Sequence, residues 1–468
     1  MKRSLTKETI NKEEQNVSVS GWVAAIRSHG KLIFVDLRDY SGTLQVVFNA
    51  QNSKVYELAK KLRPEWVVEI QGTIKRRPEN LVNINIETGK IELAAKELEI
   101  LSESKVLPIN IEKDGYEIDE EKRLKYRYLD LRRKRLQRNL KQRHKVIKYM
   151  RDLLSEQGFT EIETPILTKS TPEGARDFLV PARLHKGKFF ALPQSPQQYK
   201  QMLMVAGFEK YFQIARAIRD EDPRADRQAE HTQLDIELSF CSQEEILELV
   251  ENLYIDLIKK LFPEKKIKEI PFLRITYKEA MDKYQSDKPD LRSDKKDENE
   301  LAFAFITDFP MFEWKEGDKR WGAMHHPFTK PQTDNIAEIK KDPSKILAFQ
   351  YDVVLNGFEI GGGSIRNTNS DVLKEIFKVL GNKEKDIMEQ FSHYFEAFGF
   401  GVPPHGGIAL GIDRFLAILM NEPNIREVIA FPKTGDNKDL MIGTPSTVDK
   451  AQLKELGVEI RGRRNKKQ

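Results

Sequence analysis

The chain has 468 residues, of which 39% are hydrophobic, and a formal net charge of +5. It contains no apolar run long enough to span a bilayer and no secretory signal at residues 1–14, so we expect a soluble cytoplasmic protein with two or three cores and no membrane contact. The single cysteine, Cys241, excludes a disulfide framework or a thiolate zinc cluster within one chain, and the small charge excludes indiscriminate coating of nucleic acid.

Short alternating segments between residues 17 and 101 predict a small all-β domain. The clearest strands are residues 17–23, 32–37, 44–48 and 66–70, with a further hairpin at 81–93 and one helix at 51–62. Five strands with a helix favour the OB-fold, whose strand face often binds oligonucleotides. Another small barrel or a sandwich is also compatible with the strand count.

Residues 102–135 are charged and contain proline, which predicts a hinge that leads into a long helix at 136–156. The helix carries apolar residues at helical spacing and ends before Gly158. A strand is predicted at 159–165. From the residues alone, the apolar stripe of the helix is ordinary core.

Residues 211–219 and 231–239 read as two strands with apolar residues on one face. The opposite face receives Arg219, Glu221, Gln233, Asp235 and Glu237 from the strands and their connection. Such a face is often only solvated, but the loop 219–227 adds three arginines to it. An arginine cluster on a rigid hairpin suits a polyphosphate ligand.

The dipeptide Asn356-Gly357 between two apolar runs predicts a two-residue hairpin turn. In the simplest register Leu355 pairs with Phe358, Val354 with Glu359, and Asp352 with Gly361. Asp352 and Glu359 then lie diagonally on one face, close enough to share an ion, and hard oxygen ligands beside a polyphosphate suit Mg²⁺. Two unrelated surface acids would give the same pattern.

Several segments together resemble one family. Residues 219–235 resemble motif 2 of the class II aminoacyl-tRNA synthetases, specifically the bacterial-type aspartyl-tRNA synthetases, and residues 407–414 resemble motif 3. Residues 171–177, 191–197, 309–312, 325–328 and 361–364 also match this family, in its order. The resemblance implies an α+β protein with an N-terminal OB-fold β-barrel and a class II catalytic domain built on an antiparallel sheet flanked by helices. The expected boundaries are 1–101 for the anticodon-binding domain, 102–135 for the hinge and 136–468 for the catalytic domain.

The resemblance also implies an ATP site. Arg219 is expected to hold the α-phosphate, Glu221 the adenine amino group and Arg414 the γ-phosphate, with Asp352 and Glu359 on Mg²⁺. Gln233 belongs to the same site. His231 stands where the family usually has a phenylalanine that stacks on adenine, and an imidazole ring can still stack there.

For the amino acid, the resemblance implies an L-aspartate pocket. Arg366 and Lys200 are expected at the side-chain carboxylate, and Asp235 and Glu173 at the ammonium group. Ser195, Gln197 and His326 complete the pocket. Glycines 361–363 would let the backbone approach the ligand, and residues 168–176 resemble a mobile loop that closes over the amino acid.

On the N-terminal domain, the resemblance implies anticodon recognition. Phe34 is expected to stack on an unpaired base. The expected base-edge contacts come from Arg27, His29, Gln45, Asn80 and Glu92. From its sequence position alone, Phe34 would be a core residue. His29 resembles the members that charge tRNA(Asn) as well as tRNA(Asp), whereas residues 80–82 do not carry the matching second signal.

Three further expectations follow from the resemblance. The long helix and the strand after it form a homodimer interface in this class. The insertion domain of the bacterial-type enzymes is absent here, because only residues 293–307 separate its flanking segments, and we expect a short polar connector there. An asparaginyl or lysyl enzyme is the alternative within the class, and a catalytically inactive RNA-binding paralogue is the alternative outside it.

Overall fold

The computed structural model describes residues 1–170, 175–222 and 224–460. The chain divides into two compact units, Met1–Asn110 and Ile111–Gln468. In the described ranges, every helix is too short or too polar to cross a membrane.

The first unit is a closed β-barrel. Its elements are β1 (Asn16–His29), β2 (Leu32–Arg38), β3 (Thr43–Asn49), α1 (Ser53–Ala59), β4 (Val67–Arg76) and β5 (Ile91–Ser102), with short 3-10 helices at Lys7–Asn11 and Glu79–Leu81. The strand order is β1-β2-β3-β5-β4, and β3 pairs with β5 in parallel while the other pairs are antiparallel. This arrangement is the predicted OB-fold.

Alternation along β2 divides inside from outside. Ile33, Val35 and Leu37 are buried in the barrel core, whereas Phe34 and Asp36 are half-buried on the outer side. The interpretation of Phe34 as core is therefore wrong. The hairpin predicted at residues 81–93 is also wrong, because β5 starts only at Ile91 and turns and a 3-10 helix precede it.

The second unit is built from helices around a large sheet. Its helices are α2 (Glu120–Lys125), α3 (Arg127–Asp130), α4 (Lys134–Glu156), α5 (Gln197–Val205), α6 (Gln243–Leu261), α7 (Tyr277–Tyr284), α8 (Ile336–Lys341), α9 (Ser370–Val379), α10 (Glu384–Phe398), α11 (Ile412–Leu419) and α12 (Lys450–Leu456). Its strands are β6 (Thr160–Glu161), β7 (Leu179–Pro181), β8 (Phe189–Ala191), β9 (Lys210–Ile218), β10 (Glu230–Ser239), β11 (Lys266–Ile267), β12 (Leu273–Thr276), β13 (Glu300–Leu301), β14 (Phe303–Thr307), β15 (Phe312–Lys315), β16 (Arg320–Ala323), β17 (Gln350–Leu355), β18 (Phe358–Ile365) and β19 (His405–Gly411). Short 3-10 helices lie at Pro343–Lys345 and Ile425–Val428.

The main sheet of this unit has the order β12-β14-β17-β18-β19-β10-β9-β6. Its central pairs are antiparallel, as predicted, and the edge pairs β12–β14 and β6–β9 are parallel. One face packs against α4, α6 and α11: Leu234 and Ile236 of β10 join Val146, Met150 and Val250 in the core. Since side chains alternate along a strand, the intervening polar residues of β10 point to the other face.

The hairpin β17–β18 turns at Asn356-Gly357, as predicted, and pairs Leu355 with Phe358 and Val354 with Glu359. The predicted pairing of Asp352 with Gly361 is wrong. A β-bulge at Ile360 shifts the register, so Asp352 pairs with Gly362. An extra residue in one strand of a ladder gives no signal in an alternating sequence.

The structure differs from the predicted hinge at 102–135. Residues from Ile111 onward belong to the second unit, and Arg123, Arg127, Asp130 and Arg133 are buried there. Asp130 accepts hydrogen bonds from all three arginines, and Arg123 also donates to Glu427 at 2.8 and 3.0 Å. Arginine-rich segments usually lie in solvent, but here carboxylates from distant parts of the chain pair with them.

Two shorter predictions also need correction. Residues 303–307, predicted as part of a polar connector, form the fully buried strand β14, which lies beside the edge strand β12 of the main sheet. The strand predicted at 159–165 is reduced to β6, which comprises Thr160 and Glu161. By contrast, the helix predicted at 136–156 corresponds to α4, which begins two residues earlier.

Candidate active site

A cavity of about 360 Å³ opens on the polar face of the main sheet. Its volume is in the range of sites for small ligands. The cavity brings together most of the residues predicted for ATP and aspartate: Ser195, Gln197, Lys200, Arg219, Glu221, His231, Gln233, Asp235, His326, Glu359, Arg366 and Arg414. Their positions in the sequence span about 200 residues, and the sheet places them around one space.

One end of the cavity carries two fully buried cations. Lys200, on α5, donates to Asp235 Oδ1 at 2.9 Å and lies 3.4 Å from Glu237 Oε2. Arg366, just after β18, donates to Glu237 through Nε at 2.8 Å and Nη2 at 3.0 Å. Each cation is thus matched by a buried acid on β10, and the four charges cancel.

Glu237 holds this group together. Burial would raise the pKa of its carboxyl, but Arg366 and Lys200 outweigh burial and lower it. Burial would likewise lower the pKa of Arg366, and Glu237 raises it. Both groups are therefore charged at neutral pH. The sequence places Glu237 on the polar face of β10, but its pairing with two cations was not predicted, because the partners come from remote segments.

Asp235 has one carboxylate oxygen in use and one without a partner. Oδ1 accepts from Lys200, whereas Oδ2 is buried and has no hydrogen-bond partner within the described ranges. Gln233 Oε1, two residues earlier on the same face, is also buried and has no hydrogen-bond partner in these ranges. Buried acceptors of this kind cost free energy unless a donor reaches them, so this end of the cavity suits a ligand with an ammonium group.

His326 is a neutral acceptor in this pocket. Its Nε2 accepts a hydrogen bond from Arg366 Nη1 at 3.0 Å, since the guanidinium can only donate. Burial, followed by the charges of Arg366 and Lys200, lowers the pKa of His326 well below its usual range. The guanidinium donates a further bond to Ser364 Oγ at 2.8 Å, and its plane is thereby fixed from two sides.

Glycines 361–363 line the cavity on β18. A Cβ on Gly363 would lie 2.2 Å from the carbonyl oxygen of Gly407, and one on Gly362 would lie 2.7 Å from Asp352 Oδ1. These positions therefore need glycine for contacts with neighbouring strands as well as for an open floor.

The other end of the cavity is rich in arginine. Arg219 follows β9, and Arg414 lies in the first turn of α11. Arg414 donates to Asp226 Oδ2 at 3.0 Å and to the carbonyl oxygen of Glu359. Glu221 accepts from Arg227 at 2.7 Å. Several guanidinium groups around one space favour a ligand with multiple negative charges.

His231 lies at the start of β10 beside these arginines and lines the cavity. Burial, followed by the charges of Arg219 and Arg414, lowers the pKa of His231 to about 3. The ring is therefore neutral at physiological pH. A neutral imidazole adds no charge to the site and can stack on an aromatic ligand as a phenylalanine would.

The predicted metal pair, Asp352 and Glu359, lies on adjacent strands. Burial and the neighbouring Asp352 carboxylate raise the pKa of Glu359, which indicates repulsion that a cation would relieve. His325 Nε2 donates to Asp352 Oδ2 at 3.1 Å; burial would lower the pKa of His325, but Asp352 and Glu359 raise it to about 9. Across the described residues, no cluster of three or more His, Cys, Asp or Glu side chains could hold a metal alone. The pair fits Mg²⁺, which takes one or two carboxylates and completes its shell with phosphate oxygens and water.

Some predicted residues lie elsewhere. Glu173 lies outside the described residues, as do the central positions of the predicted mobile loop. The flanks of this loop are held by a hydrogen bond from Ala175 N to Gln194 Oε1 at 3.1 Å and by the bridge between Thr168 and Ala191.

The predicted anticodon residues belong to the first unit. Arg27 pairs with Phe34 across β1 and β2 and forms a two-pronged ion pair with Asp36 at 2.7 and 2.8 Å. Gln45 donates to Glu92 Oε2 at 2.9 Å on the neighbouring strands. His29 is exposed at the end of β1, and Asn80 is exposed in the 3-10 helix Glu79–Leu81.

The structure adds cavity residues that sequence reasoning missed. They include Asp226, Thr232, His325, Gln350 and Asp413. Arg227, one of the three arginines predicted on the loop, also lines the cavity. Asp413 adjoins Arg414 in the segment that resembles motif 3, which is the one sequence signal that could have pointed to it.

Comparison with known proteins identifies the class. Residues 119–435 match the family described as tRNA synthetases class II (D, K and N), and residues 17–101 match the OB-fold nucleic acid binding domain. The chain belongs to this family of class II aminoacyl-tRNA synthetases and is therefore a ligase.

Two curated relatives share one name. The chain is 39% identical to a protein of Dehalococcoides mccartyi (strain CBDB1) named aspartate–tRNA(Asp/Asn) ligase, with 98% of each chain covered. It is 40% identical to the protein of that name from Rubrobacter xylanophilus, over 95% of this chain and 94% of the relative. The first alignment runs over 591 positions, so the relative carries residues with no counterpart among the 468 here.

Solved structures agree on the fold. Asparaginyl-tRNA synthetase from Pyrococcus horikoshii, complexed with asparaginyl-adenylate, has a TM-score of 0.72 and 25% identity, over 90% of this chain and 96% of that chain. The aspartyl-tRNA synthetase from Entamoeba histolytica has a TM-score of 0.72 at 23% identity, over 92% and 91%.

Proposed function

We propose that the protein activates L-aspartate with ATP and transfers it to the 3′ end of tRNA(Asp). The observation that carries this proposal is the closed end of the cavity, where Lys200 is buried beside Asp235 and Arg366 beside Glu237, and where Asp235 Oδ2 has no donor among the described residues. An amino acid with an anionic side chain supplies what these groups need, because its carboxylate meets the cations and its ammonium group meets Asp235. The names of the curated relatives support the same substrate.

The chemistry needs no protein nucleophile. An oxygen of the aspartate α-carboxylate attacks the α-phosphorus of ATP, the bond to the bridging oxygen breaks, and pyrophosphate leaves with that oxygen. The terminal ribose hydroxyl of tRNA then attacks the aspartyl carbonyl, gives its proton to the medium and displaces AMP. Arg219 and Arg414 stabilise the charge that builds up on the phosphates, and the cavity supplies positioning.

We propose that Asp352 and Glu359 hold a Mg²⁺ ion that enters with ATP. Support comes from the repulsion between the two neighbouring carboxylates. The ion would neutralise charge on the leaving pyrophosphate. Titrating the enzyme with EDTA should abolish adenylate formation, and added Mg²⁺ should restore it. Adenylate formation in excess EDTA would show that the reaction does not need the metal.

The barrel is proposed to bind the anticodon through the outer face of β1, β2 and β3. The exposed side of Phe34 and the polar groups beside it support a stacking platform with edge contacts. Because the relatives are named for both tRNAs and His29 is exposed at the strand end, we propose that tRNA(Asn) is charged too. Aminoacylation of each purified tRNA by the same preparation tests this, and charging of tRNA(Asp) alone would refute it.

We further propose a homodimer that works in the cytoplasm, where protein synthesis consumes its product. The support is that β6 lies at the edge of the main sheet, with one side free of strand partners in the described ranges, and that Ile166 and Leu167 beyond it are about half exposed. An open strand edge next to apolar side chains favours association. Light scattering of the purified enzyme should give twice the chain mass of 54.3 kDa, and a single chain mass would exclude the dimer.

Exchange of labelled pyrophosphate into ATP tests the central proposal. We expect exchange with aspartate and none above background with asparagine or lysine, which tests the asparaginyl and lysyl alternatives directly. Absence of exchange with every amino acid, in a folded enzyme, would favour an inactive RNA-binding paralogue.

A further inference from the structure

Arg143, on the long helix α4, contacts two residues that line the cavity, Asp413 and Thr232. Its Nη1 donates to Asp413 Oδ1 at 2.5 Å and to the carbonyl oxygen of Val428 at 3.2 Å, and its Nη2 donates to Thr232 Oγ1 at 2.9 Å. Asp413 Oδ2 in turn accepts from Thr232 N at 3.0 Å. Arg143, Asp413 and Thr232 therefore form a closed ring of hydrogen bonds between three elements.

The ring lies where β19 no longer pairs with β10. The pairing of β10 with β19 ends at Gln233 and Gly411, one residue short of Thr232, and β19 continues into α11. The Asp413 carboxylate takes the place of the next strand acceptor for the Thr232 amide. Since a buried backbone donor needs a partner, Asp413 fixes the start of β10 against the start of α11.

The neighbours of the ring make this position important. Thr232 lies between His231 and Gln233, and Asp413 precedes Arg414; all of these line the cavity. Thr232 and Asp413 are buried, and only 16% of the Arg143 side chain is exposed. Val428 closes the 3-10 helix whose first residue, Ile425, donates from its backbone to Ala225 in the loop 219–230. Movement of Arg143 would therefore be transmitted to both walls of the site.

We propose that Arg143 is a positioning residue for ATP: it fixes the distance between His231 on β10 and Arg414 on α11 without contacting the nucleotide. This inference rests on the proposed function, in which ATP spans these two residues. A charged group held by several buried hydrogen bonds orients its partners strongly. The closed end of the cavity, around Lys200 and Arg366, is tied down by other contacts and does not depend on the ring.

The test compares Arg143→Met and Thr232→Val with the parent in pyrophosphate exchange, varying ATP and aspartate separately. Arg143→Met should raise KM for ATP by about tenfold to a hundredfold, as expected for loss of a buried charge-assisted contact, and change KM for aspartate less than about twofold. Thr232→Val, which removes only the hydroxyl, should raise KM for ATP by a few-fold. Arg143→Lys, which keeps the charge but not the fork, should rescue only in part.

A double variant shows whether the two residues act through the same contact. Arg143→Met combined with Thr232→Val should be no worse than Arg143→Met alone. Lys148→Met is the control, because Lys148 is an exposed cation on α4 that pairs with Asp152, four residues further along the same helix. This variant should leave both KM values unchanged. If the increases in KM for ATP of the two single variants multiply in the double variant, the two residues do not act through one contact.

The outcomes separate this inference from the proposed function. If the parent lacks aspartate-dependent exchange, the proposed function fails, and equilibrium binding of ATP to the same variants tests Arg143 by itself. If the parent is active and both KM values rise together, Arg143 is merely structural and the proposal is wrong. If Arg143→Met does not fold, Thr232→Val decides, and an unchanged KM for ATP in that variant overturns the proposal.

Discussion

Lys200→Met removes one charge from the closed end of the cavity at nearly constant volume. In the parent, Lys200 and Arg366 balance Asp235 and Glu237. Without the lysine, the same group carries a net charge of about −1 and Asp235 loses its partner at 2.9 Å. Both are consequences of the one lost charge, and an anionic side chain then meets an excess of negative charge.

The magnitude follows from Coulomb's law. Two unit charges about 4 Å apart interact by about 4 kcal/mol at an effective dielectric constant near 20. Allowing for relaxation, we expect KM for aspartate to rise at least about a hundredfold, equivalent to about 2.8 kcal/mol, with KM for ATP nearly unchanged. Asparagine has no side-chain charge and should lose less affinity than aspartate, so the preference for aspartate over asparagine should fall. Breaking a buried pair should also cost about 3 to 5 kcal/mol of stability.

The assay is pyrophosphate exchange with each substrate varied in turn, together with thermal unfolding. Lys265→Met is the matched control, because Lys265 is a buried lysine of the same unit that donates to Glu298 O at 2.7 Å and Asn421 Oδ1 at 2.6 Å, away from the cavity. The control should lower the melting temperature without changing either KM. Equal increases in both KM values for Lys200→Met, or the same aspartate defect in the control, would refute the reasoning.

Three further predictions concern separate parts of the molecule. Phe34→Ala should weaken tRNA charging by about 1 to 3 kcal/mol and leave tRNA-free exchange normal; loss of folding in that variant would contradict a surface role. Asp352→Asn and Glu359→Gln should each abolish adenylate formation at every Mg²⁺ concentration, and parental rates in either would exclude the pair as metal ligands. His231→Phe should make stability less sensitive to acid. The pKa of His231 is about 3 in the folded protein and 6.5 ordinarily, so between these pH values the unfolded chain binds a proton that the folded chain does not. The free energy of unfolding of the parent therefore falls as the pH falls below 6.5. Between pH 7.5 and pH 5, the free energy of unfolding of the variant should rise by up to about 2 kcal/mol relative to that of the parent. If the difference between the two proteins is the same at both pH values, the ring of His231 is not held neutral in the folded protein.

Local patterns in the sequence predicted the elements that carry the site. The alternation along β10 predicted that Gln233 and Asp235 share a face, and Asn356-Gly357 predicted the turn between β17 and β18. These signals depend on neighbours in the chain, which a sequence shows directly. The position of residues across the sheet, by contrast, was predictable only through resemblance to a family, because nothing in the residues says which strand lies beside β10.

What the sequence did not predict is set by distant partners. The bulge at Ile360 depends on how β18 fits against β17. The burial of Arg123 and Arg127 depends on Asp130 and on Glu427, about 300 residues further along the chain. In each case the local sequence is also compatible with the wrong structure, a regular hairpin or an exposed hinge, and tertiary pairing decides.

Glu237 changes the argument for aspartate selectivity. From the sequence, two cations in a pocket seem sufficient to select an anion, but Glu237 and Asp235 neutralise them. Selection therefore depends on the donors that remain. Arg366 donates through Nε and Nη2 to Glu237 and through Nη1 to Ser364 and His326; since a guanidinium has five N–H groups, these four bonds do not use the second Nη2 hydrogen. A carboxylate can accept from that hydrogen and from Lys200 with either oxygen, whereas an asparagine amide would turn its own N–H groups towards one of these donors. We therefore expect discrimination to come from an array of fixed donors, which Glu237 orients, and not from excess positive charge.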